Sequence, residues 1–199
     1  MFRFNRLPAA AIEKRIAAAA NIGSSAPSLL TLRGPLSRAA RLPWGFAHDF
    51  RRSRIGQGGD AFASARLAFQ RWEMFDLGWV RVANLQAPIA TGQIVAVEAE
   101  TLGLYTLNLS TIREAVDEPG LFGFLYATTE MHVEQGEERF LIRLEPTTGQ
   151  VLYELEAVSR PQKALAWLGL PVTRGFQHRF ARDSHRRMAA ELDPESHIR

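Results

Sequence analysis

The chain has 199 residues, of which 46% are hydrophobic and 23% are charged. These fractions are typical of a soluble globular protein and exclude a disordered chain. No apolar run approaches the ~18 residues that a membrane span needs, so we expect no membrane span and a cytoplasmic location. The absence of cysteine excludes disulfide frameworks, thiolate zinc sites and cysteine nucleophiles.

The basic residues are concentrated towards the chain ends. Residues 1–60 carry ten Lys/Arg against three acids, residues 61–160 carry seven against fourteen, and residues 161–199 carry seven against four. The arginines are spread along the chain and no aromatic residues interleave them, so a nucleic-acid partner is not favoured. The simpler interpretation is that basic terminal segments lie against an acidic sheet.

We expect one domain with an N-terminal extension. Residues 1–43 are predicted to form a helix, from Pro8 to Ala20, and a draped loop rich in Gly, Ser and Pro. Residues 44–192 form the main domain, and residues 193–199 are expected to fray.

The main domain begins with a weak strand pattern and a clear helix pattern. Residues 44–54 carry three aromatic side chains and are predicted to form a strand. The Gly-rich run at residues 56–59 lacks a following Lys-Ser/Thr, so it predicts a turn with Asp60 as helix N-cap and not a phosphate loop. Apolar residues at helical spacing then predict a helix over residues 60–76.

From Trp79 onward the apolar residues alternate with period two. Six strands are predicted, over residues 79–83, 93–101, 104–115, 121–129, 138–144 and 151–159. In the last of these, Glu154 and Glu156 face outward. Short connections with turn residues predict an antiparallel meander. A short helix over residues 162–168 and a long helix over residues 173–192 follow.

This order predicts an α+β, helix-grip architecture. A curved antiparallel sheet of six or seven strands has one apolar face that needs a cover, and the long C-terminal helix provides it. A curved sheet and a single helix leave space between them, so we expect a ligand cavity there.

Several short motifs carry a family resemblance. They are Ile55-Gly-Gln-Gly58, Phe62-Ala-Ser-Ala65, Trp72, Gly78-Trp79-Val80, Phe124-Leu-Tyr126-Ala-Thr128, Gly136-Glu137-Glu138, Ser159-Arg160-Pro161, Gln177 and Arg179. With them the chain resembles the bacterial and plant family called domain of unknown function nineteen-ninety over about residues 44–190. It departs from the family pattern at Val133 and at Ser184-His185. The resemblance implies a fold of the START and birch-pollen-allergen superfamily and no particular activity.

The candidate cavity residues are aromatic and polar side chains near the predicted sheet–helix interface. They are Trp79, Tyr105, Asn108, Tyr126, Glu138, Phe140, Tyr153, Arg160, Phe176, Gln177 and Phe180. Glu138 shares the strand face of apolar residues and therefore needs a partner, for which Arg160 and Arg113 are the candidates. That pair either pins the strand end to the start of the C-terminal helix or fixes the polar end of a ligand.

A second cluster contains potential metal ligands. His132, Glu134 and Glu137 supply the imidazole and carboxylate groups that bind divalent metals. An acidic turn is more often a solvated feature, so we predict neither a metal nor another cofactor. Ser159 lacks the glycine pattern of a nucleophile elbow.

Three hypotheses about function follow. The first is a non-enzymatic module that binds a small hydrophobic or amphipathic ligand between the sheet and the C-terminal helix. The second is an enzyme that uses His132, Glu137, Glu138 and Arg160, with or without a divalent metal. The third is an interaction module that contacts an anionic partner through its basic N-terminal segment. The sequence leaves the oligomeric state open.

Overall fold

A computed structural model describes residues 3–20, 22, 24, 26–37, 39–130, 134–161 and 170–193, with the backbone alone at residues 161 and 170–173. Seven strands form one antiparallel sheet: β1 (Ala47–Gln57), β2 (Val80–Val82), β3 (Ile94–Thr101), β4 (Leu104–Glu118), β5 (Leu121–Thr128), β6 (Glu134–Leu144) and β7 (Gln150–Pro161). Their order across the sheet is β1-β7-β6-β5-β4-β3-β2. The predicted antiparallel sheet of an α+β protein is confirmed.

Three α-helices accompany the sheet in the described part of the chain. They are α1 (Ala9–Ala19), α2 (Gly58–Gln70) and α3 (Leu170–Glu191), and a short 3-10 helix spans Glu73–Phe75. We call the face of the sheet that α2 and α3 cover the inner face, and the opposite face the outer face. The sheet curls around the inner face, as a helix-grip arrangement requires.

Part of the inner face is filled by α2 and the residues after it. Phe69, Trp72 and Phe75 are almost fully buried. They pack against the aromatic side chains of β5 and β6, with Phe75 and Phe140 ring centroids 5.1 Å apart. Trp72 has a left-handed backbone with φ of 63°, which ends the helix earlier than predicted and turns the chain back over the sheet. This half of the inner face is therefore an ordinary aromatic core.

The N-terminal residues cover the outer face. Helix α1 buries Ile12 and Ala19 against β3 and β4. Residues 26–37, which we call the strap, cross the middle of the sheet, and Leu30 and Leu32 insert into an apolar cluster with residues of β5, β6 and β7. The draped segment expected from the sequence thus forms the second cover of the sheet.

A network of buried charges lies beneath the strap. Arg139 donates to Glu154 at 3.0 Å and lies 2.8 Å from a carboxylate oxygen of Glu156, and all three side chains are fully buried. Glu137, which is 1% exposed, accepts hydrogen bonds from the backbone N–H groups of strap residues Leu29 and Leu30 at 2.7 and 2.9 Å. We call these four side chains, with Arg113 and His48, the outer charge network.

One predicted turn lies inside a strand. Gly136 belongs to β6, which begins at Glu134, whereas the sequence predicted a turn at this glycine. The reason for glycine here is a close approach of β7, because a Cβ at Gly136 would clash with the carbonyl oxygen of Val158. The predicted helix over residues 162–168 and the candidate ligand His132 lie outside the described residues.

Candidate functional site

Polar side chains occupy the other half of the inner face, next to the N-terminal half of α3. They are Thr106, Asn108, Ser110, Tyr126, Thr128, Glu134, Glu138 and Ser159, and we call this set the polar end. The strand registers place them together, because directly opposed residues project to the same face. Asn108 pairs with Val97, and Tyr126 pairs with Glu138.

The central contact of the polar end joins Glu138 and Tyr126. The Tyr126 hydroxyl donates a hydrogen bond of 2.5 Å to Oε2 of Glu138. Burial raises the pKa of Glu138 from 4.5 to about 7, the hydrogen bond from Tyr126 lowers it, and the nearby charges of Glu134 and Asp49 raise it. Burial and the neighbouring Glu138 likewise raise the pKa of Tyr126. Glu138 therefore changes its charge near neutral pH.

Helix α3 is fastened to the polar end by Gln177 and Arg174. The Gln177 side-chain amide donates to Glu134 Oε2 at 2.9 Å and to Ser159 Oγ at 3.0 Å. Arg174 donates to both carboxylate oxygens of Asp49, at 2.6 and 3.0 Å. Burial also raises the pKa of Glu134, while the hydrogen bond from Gln177 lowers it.

The two halves of the inner face differ in their solvent contact. Phe124 and Phe140 in the filled half have no exposed surface. Asn108, Glu138 and Phe180 remain half-buried although they lie inside the concavity of the sheet. The Asn108 Oδ1 atom is buried and has no hydrogen-bond partner within the described part of the chain. The polar end is therefore less completely packed than its neighbour.

The structure brings most of the predicted cavity residues to the inner face. Asn108, Tyr126, Glu138, Gln177 and Phe180 lie at or beside the polar end, whereas Phe140 lies in the filled half. Trp79 packs against Phe176 with ring centroids 5.9 Å apart and donates a hydrogen bond to Asp183 of α3. Tyr153 lies in the filled half.

Two predicted cavity residues lie on the outer face, which corrects their assignment. Tyr105 is three residues from Asn108, so strand alternation sends it to the opposite side, where Arg6 lies 5.6 Å from its ring centre. Arg160 pairs in register with Gln135 and donates to that side chain at 2.7 Å. Arg160 therefore does not partner Glu138, and Arg113 does not either, since it donates to Glu137 on the outer face.

The described residues do not assemble the candidate metal ligands or the candidate catalytic set into one site. Glu134 and Glu137 are three apart on β6 and project to opposite faces. No group of three His, Cys, Asp or Glu side chains within the described ranges is arranged to hold a metal ion. The proposed catalytic set also divides, because Glu137 and Arg160 face outward and Glu138 faces inward.

Many basic side chains of the N-terminal segment contact acids of the sheet. Arg6 lies 3.5 Å from Glu98, and Arg52 lies 2.7 Å from the buried Glu154. Arg33 of the strap pairs with Glu118 at 3.0 Å. These contacts agree with the simpler interpretation of the charge distribution.

The amino-acid sequence did not predict two hydrogen bonds that connect α3 to the sheet beside the filled half. His185 Nδ1 lies 2.5 Å from Ser53 Oγ, and burial lowers the pKa of His185 to about 4. Tyr153 shares a hydrogen bond of 2.8 Å with Ser184. The sequence contained one indication of these contacts, which is the departure from the family pattern at Ser184-His185. Polar residues on a covered helix face require hydrogen-bond partners.

Comparisons with known proteins agree with this fold. A family model described as "Domain of unknown function (DUF1990)" matches residues 31–187. A Dictyostelium discoideum protein described as a UPF0548 protein is 36% identical over 157 residues, which are 73% of each chain.

Two solved structures share the fold at low sequence identity. A hypothetical protein from Helicobacter pylori (jhp0584) has a TM-score of 0.52 and 9% identity, with coverage of 80% of this chain and 99% of that chain. The di-domain ARO/CYC StfQ from the steffimycin biosynthetic pathway has a TM-score of 0.50 and 13% identity, with coverage of 77% and 53%. At these identities the likeness concerns the fold alone.

Within the described residues, no helix is long and apolar enough to cross a membrane. The family model covers most of the chain, and the resemblance noted in the sequence is confirmed. The chain belongs to the family described as Domain of unknown function (DUF1990), and it has the helix-grip fold of the START and birch-pollen-allergen-like proteins.

Proposed function

We propose that the protein is a binding module for a small amphipathic molecule, which it holds between the polar end of the sheet and α3 without transforming it. The observation that carries this proposal is the incomplete burial of Asn108 and Glu138 inside the concavity. Polar groups in such a position need hydrogen-bond partners, and a bound molecule supplies them.

The charges of the polar end favour an uncharged or cationic head group. Glu134 and Glu138 of the polar end and the neighbouring Asp49 supply three carboxyl groups, while Arg174 is already bonded to Asp49. An anionic head would add a further negative charge near Glu138, whose pKa the neighbouring acids already raise. The Asn108 Oδ1 atom, which accepts no hydrogen bond from the residues that the structure describes, suits a hydroxyl or amine donor of the ligand.

Apolar side chains of β3 and α3 flank the space for the apolar part of the ligand on two sides. Val97 and Ala99 of β3 are half-buried on the inner face, and Phe176 and Phe180 of α3 are also half-buried. Covering such surface contributes about 25 cal/mol per Å² of apolar area removed from water. The head group then provides orientation and the apolar contacts provide most of the affinity.

The test is binding of a neutral fluorescent probe, N-phenyl-1-naphthylamine, to the full chain. Ala99→Phe places a ring in the space beside the polar end, and we expect the Kd of the probe to rise by about tenfold or more, which corresponds to about 1.4 kcal/mol. Ala63→Phe, at an exposed position of α2, is the matched control and should bind as the wild type does. Native mass spectrometry of the purified protein then identifies any molecule that remains bound.

Either of two results contradicts the proposal. One is that the wild-type chain binds no probe and carries no co-purifying small molecule. The other is that Ala99→Phe binds as tightly as Ala63→Phe while both variants unfold at the wild-type temperature.

One observation favours a second candidate function, acid–base catalysis on the bound molecule. A carboxyl with a pKa of about 7 in a cleft, hydrogen-bonded to Tyr126, has the properties of a general acid or base. The two candidates are separated by Glu138→Gln: a catalyst loses conversion of its bound molecule and keeps binding, whereas a binding module shows no conversion in either form.

A further inference from the structure

A second concavity opens at the other end of the sheet, away from the polar end. It has a volume of about 390 Å³. Its walls come from α2, from the loop between β2 and β3, and from the paired ends of β4 and β5. The lining residues are Gln70, Pro88, Ile89, Ala115, Val116, Asp117 and Phe122. The volume lies in the lower part of the range of small-molecule pockets, about 300–1,000 Å³.

The loop wall of this pocket is held in place by buried hydrogen bonds. The indole N–H of Trp72, whose side chain is almost fully buried, donates to the carbonyl oxygen of Ala87 at 3.1 Å. The Asn84 side chain donates to the carbonyl oxygen of Ile94 at 2.8 Å and accepts from the backbone N–H of Ala96 at 2.9 Å. Because both anchors are side chains fixed by packing or by two bonds, the pocket is formed before any ligand arrives.

The chemistry of the lining is apolar and electrically balanced. Ile89, Ala115 and Phe122 provide the apolar surface, because the neighbouring Val116 points to the outer face and packs beneath the strap. The Arg66 guanidinium lies 5.3 Å from the ring centre of Phe122 and donates a 2.5 Å hydrogen bond to Asp117. A charged ligand would have to compete with one partner of this ion pair, so an uncharged ligand is favoured.

One lining group remains available for a directional contact. Gln70 is exposed, and within the described part of the chain its amide makes no side-chain hydrogen bond. The amide provides both a donor and an acceptor. Leu67, one turn earlier on α2, and Leu85, in the loop that carries Ile89, are exposed large apolar residues that extend the apolar surface on these two elements.

We propose that this pocket binds a small, uncharged, aromatic molecule with one hydrogen-bonding group. The ring lies beside Phe122 between Ile89 and Ala115, and the polar group bonds to Gln70. The pocket shares no residue with the polar end, so it constitutes a separate site and does not depend on the proposed function.

Indole is a suitable probe, because it is a neutral ring system with a single N–H donor. We expect titration of indole into the isotope-labelled full chain to shift the amide resonances of Gln70, Ile89 and Phe122. Ala115→Leu fills the pocket from an exposed position of β4, and we expect the Kd of indole to rise about tenfold or more. Glu114→Leu adds the same side chain to the opposite face of the strand and is the matched control.

The outcomes separate clearly. The site is supported if indole shifts only the amide resonances of the pocket residues. These shifts should be retained in Glu114→Leu and lost in Ala115→Leu. An absence of shifts at Gln70, Ile89 and Phe122 in the wild type overturns it. Equal indole binding by Ala115→Leu overturns it as well, because the ligand then occupies another place. A shift pattern at Tyr126 and Glu138 alone would assign indole to the polar end and reject the second pocket.

Discussion

The outer charge network and the polar end are two groups of ionisable residues on opposite faces of one sheet. In the network, Arg139 is fully buried between two carboxylates, and Glu137 accepts two backbone N–H groups as well as Arg113. At the polar end, the Tyr126 hydroxyl is the one hydrogen-bond partner of Glu138 within the described ranges, and the pKa of Glu138 is raised to about 7.

This difference in hydrogen-bond partners distinguishes charges that hold the fold together from charges that can interact with a bound molecule. A buried charge with several partners of opposite sign fixes the position of the elements that carry it. A buried carboxyl with few partners and some solvent contact responds to what approaches it. The number of partners, and not the degree of burial alone, therefore distinguishes the two sides of the sheet.

The largest effect is expected from the outer charge network. Arg139→Ala leaves Glu154 and Glu156 buried without their shared cation, and we expect the free energy of unfolding to fall by about 3–5 kcal/mol. Urea unfolding of the full chain measures the change. Arg143→Ala, at a partly exposed arginine 4.0 Å from Glu154, is the control and should cost less than about 1 kcal/mol. Equal effects would mean that the network is not a structural unit.

The anchoring of the strap provides the next prediction. Glu137→Gln replaces an acceptor-only carboxylate by an amide whose N–H₂ group faces other donors, and we expect a loss of about 2–3 kcal/mol. Hydrogen exchange of the Leu29 and Leu30 amides should accelerate more than exchange in β5. Unchanged protection at these two amides would contradict the anchoring role.

Glu138→Gln tests the polar end through pH. Between about pH 4.5 and 7 the native state retains a proton on Glu138 that the unfolded state releases, so wild-type stability falls as the pH rises through this window. The glutamine does not titrate, so the variant should gain stability relative to the wild type from pH 4.5 to 8, by up to about 3 kcal/mol.

The titration of His185 changes the stability of the protein in the opposite direction over an overlapping pH range. Its pKa is lowered from 6.5 to about 4, so its contribution to stability is lost as the pH falls from 6.5 to 4. This contribution is common to the wild type and Glu138→Gln, and it cancels in their difference. A difference in unfolding free energy that stays constant from pH 4.5 to 8 would show that Glu138 titrates normally.

The smallest effect is expected from Tyr126→Phe. Removing the hydroxyl deletes the hydrogen bond that lowers the pKa of Glu138, so that pKa should rise further, with a stability cost of about 0.5–1.5 kcal/mol at neutral pH. A carbon NMR titration of the Glu138 carboxyl group measures the change. A fall in this pKa would reverse the assignment of donor and acceptor.

Local patterns predicted the elements and many of the faces. Alternation along β7 turned Glu154 and Glu156 outward, and helical spacing over residues 60–76 predicted α2, whose Phe69 is buried in the core. These features depend on the period of each element and on no distant residue.

Contacts between segments that are distant in the sequence could not be predicted from local periodicity. Identifying Tyr126 as the partner of Glu138 required the register of β5 against β6. Arg160 could be excluded by alternation alone, because it lies an even number of residues from Glu154 and Glu156, which face outward. Glu154 and Glu156 were correctly turned outward, but the strap that buries them comes from more than a hundred residues earlier in the chain, as the contact between Leu36 and Glu156 shows. Periodicity says which way a side chain points and not what covers it.

The strap is held through its backbone as well as through its buried leucines, and this has a consequence for its tolerance of substitution. Glu137 and Glu156 accept the N–H groups of Leu29, Leu30 and Leu36, so proline is not compatible with these positions. Leu30 and Leu32 must in addition stay apolar, because their side chains are buried in the apolar cluster with β5, β6 and β7. The two prolines of the strap avoid the anchored positions, since one stands immediately before Leu36 and the other two residues before Leu29. The path of the strap is therefore fixed both by the carboxylates that accept its backbone N–H groups and by the leucines that it buries.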